Sequence, residues 1–343
     1  MMMKTPVFTK RNKILSYLYA NLIFNCLNPF NKSFRFTLTA RKGKNRTVFM
    51  ADGTINHGGL TDRYKGILTS YYLSKKHTSD FSIFYISPIH YSNIWHSEQI
   101  NISKLSIHPF RFKIWYIYSL NQLEDFMNLN EKKYKRRTNL IYANENILAY
   151  LYENGKWEKH TKALNAELDL LGVNLVKNSF EANYNQYLDK DFELLHFRCL
   201  NYLNDFDDSR LTGIPEDRIE HTLDLLLQNL KAKYKNLEKK VFLSDSRRLL
   251  HYFDAKGYTV FSTETTKHMD NIGHSKEEYF KGYQENYLIT LSKSIDSYIF
   301  YYNRNQAFNS HFAYYAAIFD SVPFQKYGYN LENLQITELD AIK

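Results

Sequence analysis

Residues that interrupt or cross-link a chain are scarce here: 343 residues include 12 glycines, 6 prolines and 2 cysteines. That scarcity leaves no Pro/Gly-rich linker and no low-complexity tract. The two cysteines, Cys26 and Cys199, lie far apart and cannot form a disulfide framework. They read as small core residues of a protein in a reducing compartment, which points to the cytoplasm. No run of about 18–20 uncharged apolar residues exists to span a bilayer. The apolar stretch from Ile14 to Leu27 is interrupted by Ser16 and Asn21 and lacks a small-residue cleavage signature. It reads as a helix, and residues 1–40 are expected to supply any peripheral contact with a membrane surface. The fingerprints of helix-turn-helix, RRM and KH modules are also missing, so nucleic acid is not an expected partner.

What is present is apolar and aromatic. Hydrophobic residues make up 44% of the chain, with 29 tyrosines and 24 phenylalanines, enough to build cores. The length suits two domains, a single core rarely growing beyond about 250 residues. A formal charge of +9 favours an anionic partner: a phosphorylated substrate or an anionic surface. The basic residues are dispersed, apart from Lys132–Lys133, Lys135–Arg137 and the Lys10 to Lys13 cluster.

Along the chain, short apolar runs alternate with amphipathic ones. Strands are expected at Thr47–Asp52, Phe81–Ile86, Ile114–Tyr118 and Leu140–Ala143, with a helix over Arg63–Lys76. After about residue 185 the scheme repeats, with strands at Phe192–Phe197, Lys240–Leu243, Thr259–Ser262 and Asp296–Tyr302. Pro215 opens one helix, with Leu223, Leu226, Leu227 and Leu230 on one face. Asp245 or Ser246 caps a second that ends at Gly257, and a third starts near His311. Strand–helix alternation argues for α/β architecture, here two Rossmann-like domains over residues 1–185 and 186–343. In such sheets ligands bind outside the carboxyl ends of the strands, which singles out the loops Gly53–Asp62, Arg198–Asp208, Ser244–Ser246 and Asn303–Ser310.

Those loops hold the chemistry. His196 and Arg198 stand two apart at a strand end, so both address one face. Arg198 offers a planar fork of donors suited to phosphate oxygens. In INHGGLTDR, Gly58 and Gly59 let backbone approach a ligand closely, and Arg63 opens the following helix. Asp62 and His57 are alternative general bases for a hydroxyl nucleophile. Asp205, Asp207 and Asp208 allow a rival metal-binding reading. His268 with Asp270, and Glu167 with Asp169, read as surface loop and helix face. Trp95, Trp115 and Trp157 read as local packing.

The segment HFRCLNYLNDF resembles the H-x-R motif of the fucosyltransferase superfamily that includes the α(1,2)-, α(1,6)- and protein O-fucosyltransferases. Three further blocks are similar in the same order: DGTINHGGLTDRYKGILTSYYLS to its amino-terminal GG-x-x-(D/N)-R loop, VFLSDSRRLLHYF to its strand ending in (T/S)-D, and ENYLITLSKSIDSYIFYYNRNQAFNSHFAYYAAI to its last block. Together they span residues 47–325. The resemblance implies a GT-B-like fold of two facing Rossmann-like domains, with a GDP-sugar donor in the second. It implies that Arg198 grips the β-phosphate and that His196 and Asp245 address guanine. Asn201, Ser246 and Ser310 would complete the donor site. The chain departs from the pattern at Cys199, where a basic residue often follows the motif arginine, and around Ser310, which lacks the usual Gly and Arg.

The expectation is therefore an inverting, metal-independent transferase with no cofactor, moving fucose or a related 6-deoxy sugar to a glycan acceptor that is lipid-linked at the inner membrane's cytosolic face. Two alternatives stand beside it: a non-catalytic glycan- or nucleotide-binding protein, and a transferase using another nucleotide sugar. A third assigns the charge to a nucleic-acid or membrane surface.

Overall fold

The computed structural model describes residues 34–36, 45–53, 57–87, 105–107, 111–128, 134, 137–145, 147, 180–188, 191–205, 213–262, 276–302 and 312–339. The chain divides into two compact units, Met1–Gly58 with Asp62–His160, and Gly59–Thr61 with Thr161–Lys343. The division at His160–Thr161 precedes the boundary expected near residue 185, and it lies in a stretch outside the described residues.

The first unit is built on four parallel strands, β2 (Arg46–Ala51), β3 (Asp80–Tyr85), β5 (Phe112–Ile117) and β6 (Thr138–Ala143), in the order β3-β2-β6-β5. Helix α1 (Leu60–Lys76) connects β2 to β3, and α2 (Leu120–Met127) connects β5 to β6. Two three-residue strands, β1 (Phe34–Phe36) and β4 (Leu105–Ile107), pair with each other in parallel. Strand β1 falls inside the 1–40 segment expected as a membrane-surface helix, so that expectation is corrected at Phe34–Phe36; residues 1–33 lie outside the described residues. Val48 and Met50 pack with Phe84, Leu105, Ile107, Leu140 and Tyr142 on one side of the sheet. On α1, Gly66 lies where an added Cβ would overlap the Ala143 carbonyl and the Phe49 ring, so glycine sets the helix-to-sheet distance.

The second unit holds six strands in the order β12-β11-β10-β7-β8-β9. These are β7 (Glu193–Arg198), β8 (Lys240–Ser244), β9 (Thr259–Val260), β10 (Ser294–Tyr301), β11 (Phe324–Asn330) and β12 (Gln335–Leu339). All pairings are parallel except β11–β12. From β7 the chain winds outward through α3 (Glu216–Lys233) and α4 (Arg247–Ala255) to β8 and β9. It then returns through α5 (Lys276–Leu291) to β10 and through α6 (Phe312–Asp320) to β11. The parallel strands thus follow a 3-2-1-4-5 order, the dinucleotide-fold winding, with its reversal between β7 and β10.

Both faces of this sheet are covered, which is why its strands are nearly continuous apolar runs. Leu195 and Phe197 pack with Leu223, Leu226 and Leu230 of α3 and Leu249, Leu250 and Phe253 of α4. Leu194 packs with Leu288 and Ile289 of α5 and Ala313, Ala316 and Ala317 of α6 on the other side. Pro215 sits at the N-cap of α3, one position before the first helical residue it was expected to occupy. Ser246 caps α4 by accepting from the Leu249 amide, and Gly257, with φ +82°, follows its end. No helix among the described residues is long and apolar enough to cross a membrane.

Candidate functional site

Where strand order reverses, the two loops leaving a parallel sheet part and open a crevice at its carboxyl end. In the second unit the reversal lies between β7 and β10, and Arg198 is the last residue of β7. Its side chain retains 24% of its exposure, against 5% for Asp245, whose Oδ2 lies 2.9 Å from Arg198 Nη1. Asp245 follows β8 directly and is held further. Its Oδ1 accepts from the Cys199 amide at 2.7 Å and its Oδ2 from the Leu200 amide at 2.9 Å. Leu200 has φ +53°, the left-handed region that few non-glycine residues enter. Successive N–H groups of such a turn converge into an anion-binding concavity, and the Asp245 carboxylate occupies it. Burial pushes the Asp245 carboxyl up, opposed by the Arg198 charge and the two amides.

His196 lies on the same strand face as Arg198 but inside the protein, 3% exposed. Its Nδ1 hydrogen-bonds Ser297 Oγ at 2.8 Å across the β7–β10 pairing, where the two residues are in register. Its ring stacks on Phe312 with centroids 5.8 Å apart. Burial, then the neighbouring Arg198 charge, lowers its pKa to about 3, so the ring is neutral at physiological pH.

The amino terminus of α4, where Ser246 was expected to help complete the donor site, carries a carboxylate of the chain itself. Asp205 Oδ2 accepts from the Arg248 amide at 2.6 Å and from the fully buried Ser246 hydroxyl at 2.9 Å. The helix dipole favours a negative charge there. Asp205, read from sequence as one of a metal-binding carboxylate cluster, is thus a capping group. Burial raises its pKa, and the amide and hydroxyl donors lower it. Asp207 and Asp208 lie outside the described residues, and no group of three metal-ligating side chains occurs among those described. Asn201 takes part through its carbonyl, which accepts from the Asn204 amide at 3.0 Å. Cys199 is fully buried, and burial and then Asp245 raise its thiol pKa well above the usual range. Ser310, His268, Asp270, Glu167, Asp169, Trp95 and Trp157 lie outside the described residues. Trp115 packs locally, donating to Asn139 Oδ1 at 2.9 Å.

In the first unit the corresponding position is the end of β2 and β6. Asp52, 4% exposed, accepts from Tyr142 Oη at 3.0 Å. His57 is buried with its ring stacked on Tyr142 (5.9 Å) and tilted to Phe49 (5.7 Å). Burial, then the Arg63 charge, lowers its pKa to about 3, with the Ala143 backbone acting in the opposite sense. Gly58 has φ +82°, and an added Cβ would overlap the Asp62 carboxylate. Arg63 donates to the Gly58 carbonyl, while Asp62 pairs with Lys65 at 2.9 Å. The glycine loop therefore closes on the first turn of α1. Gly59 falls with the second unit in the division of the chain.

Sequence reasoning missed Asp52, Tyr142 and Ser297. Asp52 was readable as the last residue of a strand facing a glycine loop. Ser297 and Tyr142 become visible only once strand register is known. Compared with known proteins, the chain matches no protein-family model, and no curated protein matches it.

Proposed function

We propose that the chain is a glycosyltransferase that takes its sugar from a nucleotide diphosphate. The observation that carries this reading is Arg198: an arginine whose side chain is partly exposed at the switch point of a doubly wound parallel sheet and is ion-paired to a buried carboxylate. A fixed cation there suits the diphosphate, whose charge grows as the glycosidic bond breaks, because preorganised donors stabilise developing charge without reorganising. Fucose or a related 6-deoxy sugar, a GDP carrier, inversion without a metal, and a GT-B-like pairing of the two units come from the resemblance and form part of this proposal. So do a glycan acceptor, lipid-linked, and a cytoplasmic site of action with peripheral membrane contact.

The acceptor side of the proposal is the end of β2. The acceptor hydroxyl would lose its proton as its oxygen forms the new bond to the anomeric carbon and the diphosphate leaves with the electron pair. Asp62 and His57 stay candidates for that base, but His57, lowered to about 3, is a weak one. A second reading, a transferase using another nucleotide, is favoured by the engagement of both residues assigned to guanine, His196 with Ser297 and Asp245 with the β7 turn.

Turnover of GDP-fucose against UDP-, dTDP- and CMP-sugars, in excess EDTA, tests these statements together. We expect turnover of GDP-fucose to persist in EDTA and Arg198→Ala to lower kcat by about two to three orders of magnitude, the scale for losing one preorganised donor. Arg198→Lys should recover only part, since an ammonium lacks the fork. Near-normal kcat in Arg198→Ala would remove the donor site from this loop. Loss of activity in EDTA restored by Mn²⁺ would return the Asp205–Asp208 cluster to consideration.

A further inference from the structure

The fourfold engagement of Asp245 carries an inference about how the donor site is built. A carboxylate accepts at about four lone-pair positions. On Asp245, Oδ1 receives the Cys199 amide at 2.7 Å and the Ser244 hydroxyl at 3.5 Å. Oδ2 receives the Leu200 amide and Arg198 Nη1, both at 2.9 Å. The group is 5% exposed. A guanine presenting N1–H and its amine would have to displace two backbone donors and an ion pair from a buried carboxylate, leaving those amides unsatisfied. The left-handed Leu200 belongs to the same turn, which the Tyr202 amide closes by donating to the Cys199 carbonyl at 3.1 Å.

We propose that Asp245 is a positioning residue: it fixes the Arg198 guanidinium and the Cys199–Leu200 turn for an incoming diphosphate, and it does not read the base of the nucleotide. The inference rests on Arg198 being the diphosphate-binding group. The ion pair with Asp245 restrains the Arg198 guanidinium and lowers the freedom lost when an anion binds. Base preference then comes from other residues, and Asp245 contributes equally to every nucleoside diphosphate and to inorganic pyrophosphate.

Two measurements test it. Calorimetric titration of the full chain with GDP, UDP and inorganic pyrophosphate should show Asp245→Asn weakening all three by the same factor, about tenfold or more, the range for losing a hydrogen bond to a charged group. The GDP-to-UDP ratio should stay at the wild-type value. A fall for GDP alone, with pyrophosphate and UDP unchanged, would make Asp245 a base reader and overturn the proposal. The second measurement needs no variant: NMR of wild-type protein, following the Arg198 guanidinium and the Cys199 and Leu200 amides. On saturation with GDP both amides should remain slow to exchange and the Arg198 Nη signals should stay resolved from each other. If GDP releases the two amides, the carboxylate has moved to the base and the inference is wrong. If neither GDP nor pyrophosphate perturbs Arg198, the donor-site reading fails by itself. In that case, resolved Nη signals that collapse in Asp245→Asn still uphold the restraint, and signals unchanged in the variant dismiss it.

Discussion

His196 and His57 are neutral side chains sealed inside two different sheets, and this gives the protein a pH dependence whose sign follows from burial. Each is lowered to about 3, whereas an unfolded histidine titrates near 6.5. Between those values the unfolded chain binds protons that the native chain refuses, so stability is complete above about 6.5 and falls as pH drops toward 3. Each histidine contributes a slope of up to about 1.4 kcal/mol per pH unit in that window. Asp205 and Asp245, raised by burial, act in the opposite sense at the lower end, because the native state takes up their protons first. Urea unfolding of His196→Gln and His57→Gln between pH 7 and pH 4 should show a shallower loss than wild type in each case. An unchanged slope would mean that the ring takes up its proton at the same pH in the native state as in the unfolded chain. The same residues mark how far the site was legible. A period of two placed His196 beside Arg198 on one face, whereas its hydrogen-bond partner Ser297 comes from a pairing with a residue 101 positions away. Asp245 was assigned to guanine by the resemblance, whereas the amides that occupy its carboxylate become visible only in the fold.

Most strands were readable, the half-exposed β5 and β9 among them. β2, β3, β6, β7, β8 and β10 are apolar runs bounded by turn residues, and each appeared in sequence within a few residues of its observed span. β1 and β4 have three residues apiece, too short for any periodicity. β11 and the edge strand β12 were missed because they mix polar residues with tyrosines, leaving half-exposed positions in place of an apolar run. Helix α2 had a signal that was passed over: Ser119 accepts from the Gln122 amide while the Gln122 side chain accepts from the Tyr118 amide, a reciprocal cap. Gly66 was also unremarked, since glycine within a helical pattern signals only weakness. Its helix lies close on the sheet, and that closeness is testable. Gly66→Ala should gain up to about 1 kcal/mol of helix propensity yet lose about 1–3 kcal/mol from overlap with the Ala143 carbonyl and the Phe49 ring. We expect net destabilisation in denaturant titration. A variant more stable than wild type would show that α1 can move outward without cost.

At the scale of the molecule, the two units share one design: a parallel sheet whose polar groups of interest gather at the carboxyl ends of its central strands. Asp52, Tyr142 and His57 lie at the end of β2 and β6 in one; Arg198, Asp245 and Asp205 lie around the end of β7 and β8 in the other. The charge of +9 suits anionic ligands in general and does not choose between the two sheets. On the proposed function the side chains favour the second unit. In the second unit an arginine with a quarter of its surface exposed stands at the reversal of strand order, whereas in the first the arginine of the loop, Arg63, is buried and donates to the Gly58 carbonyl. A nucleoside diphosphate should therefore protect only the second unit's strand ends. Hydrogen exchange with GDP at about 100 times its dissociation constant should slow amides in residues 193–205, 240–250 and 294–302. At that concentration mass action adds about 2.7 kcal/mol to openings that expose the site. Amides in residues 46–53 and 60–76 should exchange as in the free protein. Slowing confined to those first-unit segments would put the nucleotide on the other sheet and detach Arg198 from the diphosphate, however closely HFRCLNYLNDF resembles a donor-binding motif.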